Sequence, residues 1–190
     1  MLLVVDGIRM NNAIYRAGHL QAIITVDQNA LEKVEVISGP ASVAYGSDAL
    51  GGVVHFYTRA PRFRDGSGKA VVGEAFTRYS SANNEITAHA GIELRTERIS
   101  SYTSITLSDF GDLRQGSTRN PFYEDFGRRP WYVERINGVD SAVVNDDSNV
   151  QVGSAYKQMD LLEKLRLRGK ACVHELNFQL STSTDVPRYD

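Results

Sequence analysis

From Val71 onward apolar residues fall at every second position through five separate stretches, and nothing else in the chain restricts its fold so tightly. Between Asn84 and Arg95, Ile86, Ala88, Ala90, Ile92 and Leu94 alternate with Glu85, Thr87, His89, Glu93 and Arg95, with Gly91 neutral. Successive side chains of a strand point to opposite faces, so this spacing predicts a strand with one polar and one apolar side. Val71, Gly73, Ala75 and Tyr79, set against Glu74 and Arg78, predict a strand before it, and Ile99, Ile105 and Leu107 predict one after it. A fourth strand carries Met159, Leu161, Leu165 and Leu167 opposite Gln158, Asp160, Lys164, Arg166 and Arg168, with Glu163 and Leu162 on the wrong faces. In a fifth, Leu176, Phe178 and Leu180 oppose Glu175, Asn177 and Gln179.

The connections between these strands are unequal. Three are short, near Ser80 to Asn84, Thr96 to Arg98, and Gly169 to Lys170. The third and fourth strands are separated by roughly 45 residues, Phe110 to Ala155, far more than a structureless loop in a compact domain usually has. Alternation alone suits a soluble sandwich as well as a membrane barrel. Barrels of the bacterial outer membrane, however, turn tightly on one side and carry long loops on the other, and the long connection here has the parity of an outward-facing loop if the first strand runs outward.

Composition agrees without deciding. The chain has 190 residues, 42% hydrophobic content and a formal net charge of −2, so a polyanionic nucleic-acid partner is not expected. No run approaches the roughly 18 apolar residues of a membrane helix, which excludes a helical membrane protein but not a barrel. Cys172 is the only cysteine, so no internal disulfide forms. Met1 to Val5 is too short for a signal peptide and lacks its basic flank, and the start seen here is expected not to be the native one.

The first sixty residues have another texture. In Val34 to Thr58, VEVISGPASVAYGSDALGGVVHFYT, β-branched strands flank a Gly39-Pro40 helix start, a Tyr45-Gly46 helix end and a Gly51-Gly52 turn. Gly46 stands where a helix wants a left-handed residue, and Pro40 where a missing N–H costs nothing. Glu35, Gly39, Pro40, Tyr45, Gly46, Ser47, Ala49, Leu50, Gly51 and Gly52, together with DGIRMNN from Asp6 and ALEKVEV from Ala30, closely resemble the end of the plug domain of TonB-dependent outer-membrane receptors. The resemblance covers about the first 60 residues and is weaker beyond, where SDFGDLRQG and STSTDVPRYD look like segments of haem or siderophore receptors.

That resemblance implies an α+β plug fragment at 1–60, a linker at 61–69, and antiparallel transmembrane β-barrel strands at 70–190 with an extracellular loop at about 110–155. Five strands cannot close a bacterial barrel, and an open sheet would leave its edges unpaired in lipid. The chain is therefore expected to be a fragment, with most of 22 strands downstream and the TonB-gripped front of the plug upstream. The implied function is import of a scarce large ligand such as ferric siderophore, haem or cobalamin. The implied partners are TonB with its inner-membrane energising complex, outer-membrane lipid and the small-molecule ligand. The implied location is the outer membrane of a Gram-negative bacterium. A glycan importer of the same superfamily is an alternative, although those plugs usually end in Ala-Asn-Gly where this chain has Leu50-Gly51-Gly52. A soluble β-rich binding or adhesion domain is the other.

By resemblance, Arg9, Asn11, Asn12 and Tyr15 are candidate ligand contacts on a plug loop, or else they seal the plug against the barrel wall. Arg128, Arg129 and Trp131 are candidates in the long loop beside Phe110, Phe122, Tyr123, Phe126 and Tyr132, where aromatic and guanidinium groups suit carboxylate-bearing ligands, although for any single residue packing of the loop against itself or its neighbours is the commoner use. Glu74, Arg78, Glu85, Glu93, Lys164 and Arg166 are expected to face the lumen.

Nothing in the sequence supports an enzyme. His19, His55, His89 and His174 lack metal-ligand spacing, and no cofactor is implied. Cys172 and His174 share a strand face without forming a nucleophile and base arrangement by themselves. Gly46 and Gly51 have the spacing of a phosphate loop, but Gly52 stands where its lysine must be. Asp146 and Asp147 read as a solvated loop in preference to a calcium site.

Overall fold

The computed structural model describes residues 2–10, 21–39, 45–46, 49, 51–123 and 125–185. They form two compact units, one of Met1–Ala75, His89–Thr106 and Asp160–Thr182, the other of Phe76–Ala88, Leu107–Met159 and Ser183–Asp190.

The first unit contains a four-stranded sheet of β1 (Leu2–Val5), β2 (Ile8–Arg9), β3 (Leu31–Ser38) and β4 (Gly52–Thr58), in the order β2-β1-β4-β3. β1 runs parallel to β4, with Leu2 opposite Val53 and Val5 opposite Phe56. Both are apolar almost throughout because both of their faces are covered, as parallel strands require. One cluster joins Leu2, Val4, Ala49 and Val53; the other joins Leu3, Val5 and Phe56. β1 turns into β2 through Asp6 (φ 48°) and Gly7 (φ 84°), a two-residue connection whose positive φ angles favour this Asp-Gly pair.

The glycines of the 34–58 stretch have separate reasons. Gly46 is left-handed (φ 90°), a conformation that glycine adopts at little cost. Gly52 (φ 118°) opens β4 where a Cβ would stand 2.5 Å from the Ile37 carbonyl oxygen. Pro40, the predicted first residue of the short helix, lies outside the described residues.

The five predicted strands are present as β5 (Ala70–Ser80), β6 (Glu85–Arg95), β7 (Ile99–Phe110), β12 (Tyr156–Arg168) and β13 (Val173–Ser183), one open antiparallel sheet in the order β13-β12-β7-β6-β5. Its faces are inverted relative to a water-soluble sheet. Thr87, His89, Ser100, Ser104 and Thr106 are buried, whereas Ile86 and Ile92 stand 60% and 52% exposed and Leu107 50%. A soluble sandwich buries the opposite face. The two residues that broke the pattern of the fourth strand have partners that explain them. Leu162 packs with Ala30 and Tyr102 on the buried side, and Glu163 on the outer side accepts a hydrogen bond from Thr103.

The long connection carries secondary structure of its own. β8 (Leu113–Arg114) pairs with β11 (Val150–Gln151), and β9 (Trp131–Ile136) pairs with β10 (Val139–Val144) around Asn137 (φ 52°) and Gly138 (φ 83°). Asn-Gly between two apolar runs is a strong hairpin signal that was there to be read. Phe110 stacks on Tyr156 at 4.6 Å where the loop leaves and rejoins the sheet, and Asp112 accepts from the backbone N–H of Ser154 and Ala155.

Gly52→Ala should cost about 1–3 kcal/mol, because φ is unfavourable and the Ile37 carbonyl has no room to yield. The urea midpoint for loss of protease protection of the 34–58 region in the full-length protein measures it.

Candidate functional site

The buried polar face of the long strands meets the first-segment residues along a seam of ion pairs and hydrogen bonds. Asp6, projected by the β1–β2 turn, anchors one part of it. Its carboxylate accepts from the Thr58 N–H (2.9 Å) and hydroxyl (2.7 Å), and from the Asn177 amide (2.7 Å). It also pairs with Lys164 at 3.1 Å. Lys164 is only 2% exposed, and its ammonium donates in addition to the Thr58 carbonyl at 3.2 Å. Burial alone would raise the Asp6 pKa, but the Thr58 hydrogen bonds and the Lys164 charge outweigh it and hold the carboxyl below its ordinary range. Glu175 continues the seam to Arg166 at 3.1 Å.

Asp27 anchors a second part. One carboxylate oxygen caps the 3-10 turn Gln28–Ala30 by accepting the Asn29 N–H, and the other accepts the Thr106 hydroxyl at 2.5 Å. Thr106 has one proton and gives it to Asp27, so His89 Nδ1, 2.7 Å from the same hydroxyl oxygen, must donate. The other His89 nitrogen lies 3.7 Å from Glu74, which also binds Arg59 and the Tyr102 hydroxyl. Arg59 and Arg62 bring the chain after β4 onto the same face, Arg62 donating its N–H to Glu93 at 2.7 Å. The Pro61 carbonyl accepts from Arg166. Phe63 lies beneath the Arg168 guanidinium at 4.2 Å.

Of the residues expected to face the lumen, Glu74, Glu93, Lys164 and Arg166 meet first-segment or linker atoms, whereas Arg78 and Glu85 pair with each other. The candidate ligand contacts are not gathered in one place. Arg9 lies on β2 with its guanidinium over Gly46, so that a Cβ there would stand 2.6 Å from it. Asn11, Asn12 and Tyr15 lie outside the described residues. In the loop, Arg128 pairs with Asp125 at 3.4 Å, Arg129 donates its N–H to the Ser148 carbonyl, and Trp131, 59% exposed, opens β9. Asp6 and Asp27 were missed as site residues. Asp6 sits in the DGIRMNN run that carried the resemblance, and Asp27 had only its N-cap position to mark it.

Residues 1–53 match the family described as TonB-dependent Receptor Plug Domain. The chain belongs to the TonB-dependent receptor family. Relatives of this receptor chain include the hemin receptor of Yersinia pestis, 32% identical over 148 residues, and the vitamin B12 transporter BtuB of Vibrio vulnificus, 42% identical over 57 residues. The first alignment covers 73% of this chain and 21% of that relative, the second 30% and 9%. Among solved structures, the siderophore receptor PirA from Pseudomonas aeruginosa superposes with a TM-score of 0.50 at 19% identity, over 96% of this chain and 26% of that one, which speaks for the fold alone. The sequence thus spans about a quarter or less of the receptors it matches. In receptor terms, β1, β2, β3 and the start of β4 lie in the stretch that matches the plug, from which Asp6 and Asp27 reach the strands, as Arg59 does from just beyond it.

Asp6→Asn should destabilise the plug by about 3 kcal/mol, since asparagine keeps the left-handed turn while leaving Lys164 buried without its counter-charge. Adding Lys164→Met should recover much of that loss, as measured by denaturant midpoints in a double-mutant cycle. Because the Asp6 pKa is depressed by folding, its contribution is complete above the ordinary aspartate range and disappears as pH falls through the lower folded value. A pH series on the Asp6→Asn protein should therefore converge with wild type only in strong acid.

Proposed function

We propose that this chain is part of a TonB-dependent receptor of a Gram-negative outer membrane that imports a scarce large ligand of the ferric siderophore, haem or cobalamin kind. The division that goes with this reading is plug at 1–60, linker at 61–69 and barrel strands at 70–190. The observation that carries it is the inverted sheet. Strands that bury Thr87, His89 and Thr106 against a small folded domain while exposing Ile86, Ile92 and Leu107 suit hydrocarbon on one side and a polar lumen on the other. Named relatives bind hemin and transport vitamin B12, and the proposed cargo class is drawn from that range. The chain's role is binding and gated passage without covalent chemistry.

The polar seam fits that role physically. A plug held by ion pairs and hydrogen bonds can be rewetted when it moves, because water replaces its partners, whereas an apolar seam would resist wetting. TonB and its energising complex would supply the force through the family's gripping segment. Arg9, Asn11, Asn12, Tyr15, Arg128, Arg129 and Trp131 remain the sequence-derived candidates for ligand contact.

The full-length protein tests the reading in cells. Outer-membrane fractionation and uptake of hemin, a ferric siderophore or cobalamin should both depend on it, and removing TonB should abolish uptake while leaving surface binding intact. Recovery in the soluble fraction, or uptake that persists without TonB, would overturn the reading.

A further inference from the structure

The β1–β2 turn that carries Asp6 is fastened to β4 at three points. The Asp6 N–H donates to the Phe56 carbonyl at 2.9 Å, and the Asp6 carboxylate accepts from Thr58. Between them, the Gly7 N–H donates to Nε2 of His55 at 3.0 Å, across 48 residues of sequence. This third bond differs in kind. Its acceptor is an imidazole, the side chain whose ordinary titration falls between pH 5 and 8.

The bond fixes the state of the ring. Nε2 has one lone pair and gives it to Gly7, so the imidazole is neutral and its proton sits on Nδ1. His55 is only 7% exposed, and Nδ1 has no hydrogen-bond partner among the described residues. The charged groups around it are engaged elsewhere. Glu35, opposite His55 on β3, accepts from Lys33 at 2.7 Å and from the Tyr57 hydroxyl at 2.9 Å. Asp6 is taken up by Thr58, Lys164 and Asn177, and the Arg9 guanidinium on β2 lies over Gly46. Tyr57 stacks on the imidazole at 3.9 Å, and Tyr45 stands at a steep angle to it, 6.4 Å away. A second proton on the ring would displace Gly7 and leave both N–H groups of a buried cation without an acceptor.

We infer that His55 is a proton-sensitive latch on Asp6: the neutral ring holds the β1–β2 turn in the shape that delivers the carboxylate to Lys164, and a proton on Nε2 releases it. His55 is a positioning residue, acting through Gly7. Proton and Gly7 N–H compete for one lone pair, so the hold is complete above the ordinary imidazole range and is lost progressively as pH falls below it. Asp6 keeps its charge through this window, because its carboxyl is held below the usual aspartate range. Mild acid therefore changes how often the turn opens and frees Asp6, and leaves the ion pair itself as strong as before. A plug fastened in this way lets go of its frame more readily in mildly acidic surroundings.

Amide hydrogen exchange of the 2–10 segment in the full-length receptor, corrected for the intrinsic effect of pH, measures opening of the turn. With one proton taken up only by the open turn, the opening constant should rise about 10- to 30-fold from pH 8 to pH 5. His55→Gln offers Gly7 an oxygen acceptor that does not titrate in this range. It should stay within about threefold of wild type at pH 8 and lose the pH dependence. His55→Phe keeps a ring beside Tyr57 but has no acceptor, so it should open about 5-fold more often at pH 8 and be equally insensitive to pH. The other histidines stay in all three proteins, so their titration cancels. If His55→Gln opens with the pH dependence of wild type, the proton acts elsewhere; if His55→Phe matches wild type at pH 8, the Gly7 bond does not hold the turn. Either result overturns the inference and leaves the import reading untouched.

Discussion

The structure depends on which face of β5, β6, β7, β12 and β13 is covered. A strand face that carries Thr87, His89 and Thr106 is buried at least cost when its polar atoms are paired, since each orphan costs on the order of 1–3 kcal/mol. The pairs come from two sources. Some lie within the sheet, as Arg78 with Glu85 and Thr87 with Ser108. Others come from the segment before it, as Asp27 with Thr106 and Asp6 with Lys164. The opposite face, with Ile86, Ile92, Ile105 and Leu107, would be a contiguous apolar patch in water and is at ease in hydrocarbon. The plug and the strands thus specify each other, because each supplies the partners that the other must have.

The plug has its own reason to be folded before it meets a wall. β1 and β4 are covered on both faces, and their two apolar clusters need no residue from the long strands. What it presents outward is different in kind: carboxylates at Asp6 and Asp27 and the guanidinium of Arg59, which Pro61 and Arg62 just beyond it extend with a carbonyl and an N–H. An apolar core inside and a charged seam outside separate the stability of the plug from its attachment.

Much of this was written in the sequence, and the omissions have physical causes. Period-two alternation located all five long strands, because the side-chain period of a strand survives whichever face is buried. It could not say which face that was; only the resemblance of the first sixty residues, and then the burial of Thr87 and His89, decided it. Gly46 and Gly52 were legible because positive φ is a local demand. The structure within the long loop was overlooked because length was weighed and turn chemistry was not: Asn137-Gly138 marks the hairpin. Of the cleft in the long loop at Gln115, Arg119, Tyr123 and Phe126, the loop's aromatic content marked the two rings and nothing marked the polar pair. The cleft arises from the way Asp147 and Asn149, some thirty residues later, hold Arg119 in place.

Lipid and water accessibility along β6 test the inverted sheet most directly. In the full-length protein with Cys172→Ser, single cysteines from Ile86 to Leu94 can carry a spin label whose relaxation by oxygen and by a water-soluble nickel chelate is compared. The structure predicts a period of two, with labels at Ile86, Ala88, Ala90 and Ile92 favouring oxygen in the bilayer and those at Thr87, His89 and Glu93 favouring neither lipid nor bulk water. Equal accessibility at all positions, or aqueous exposure at Ile86 and Ile92, would contradict it.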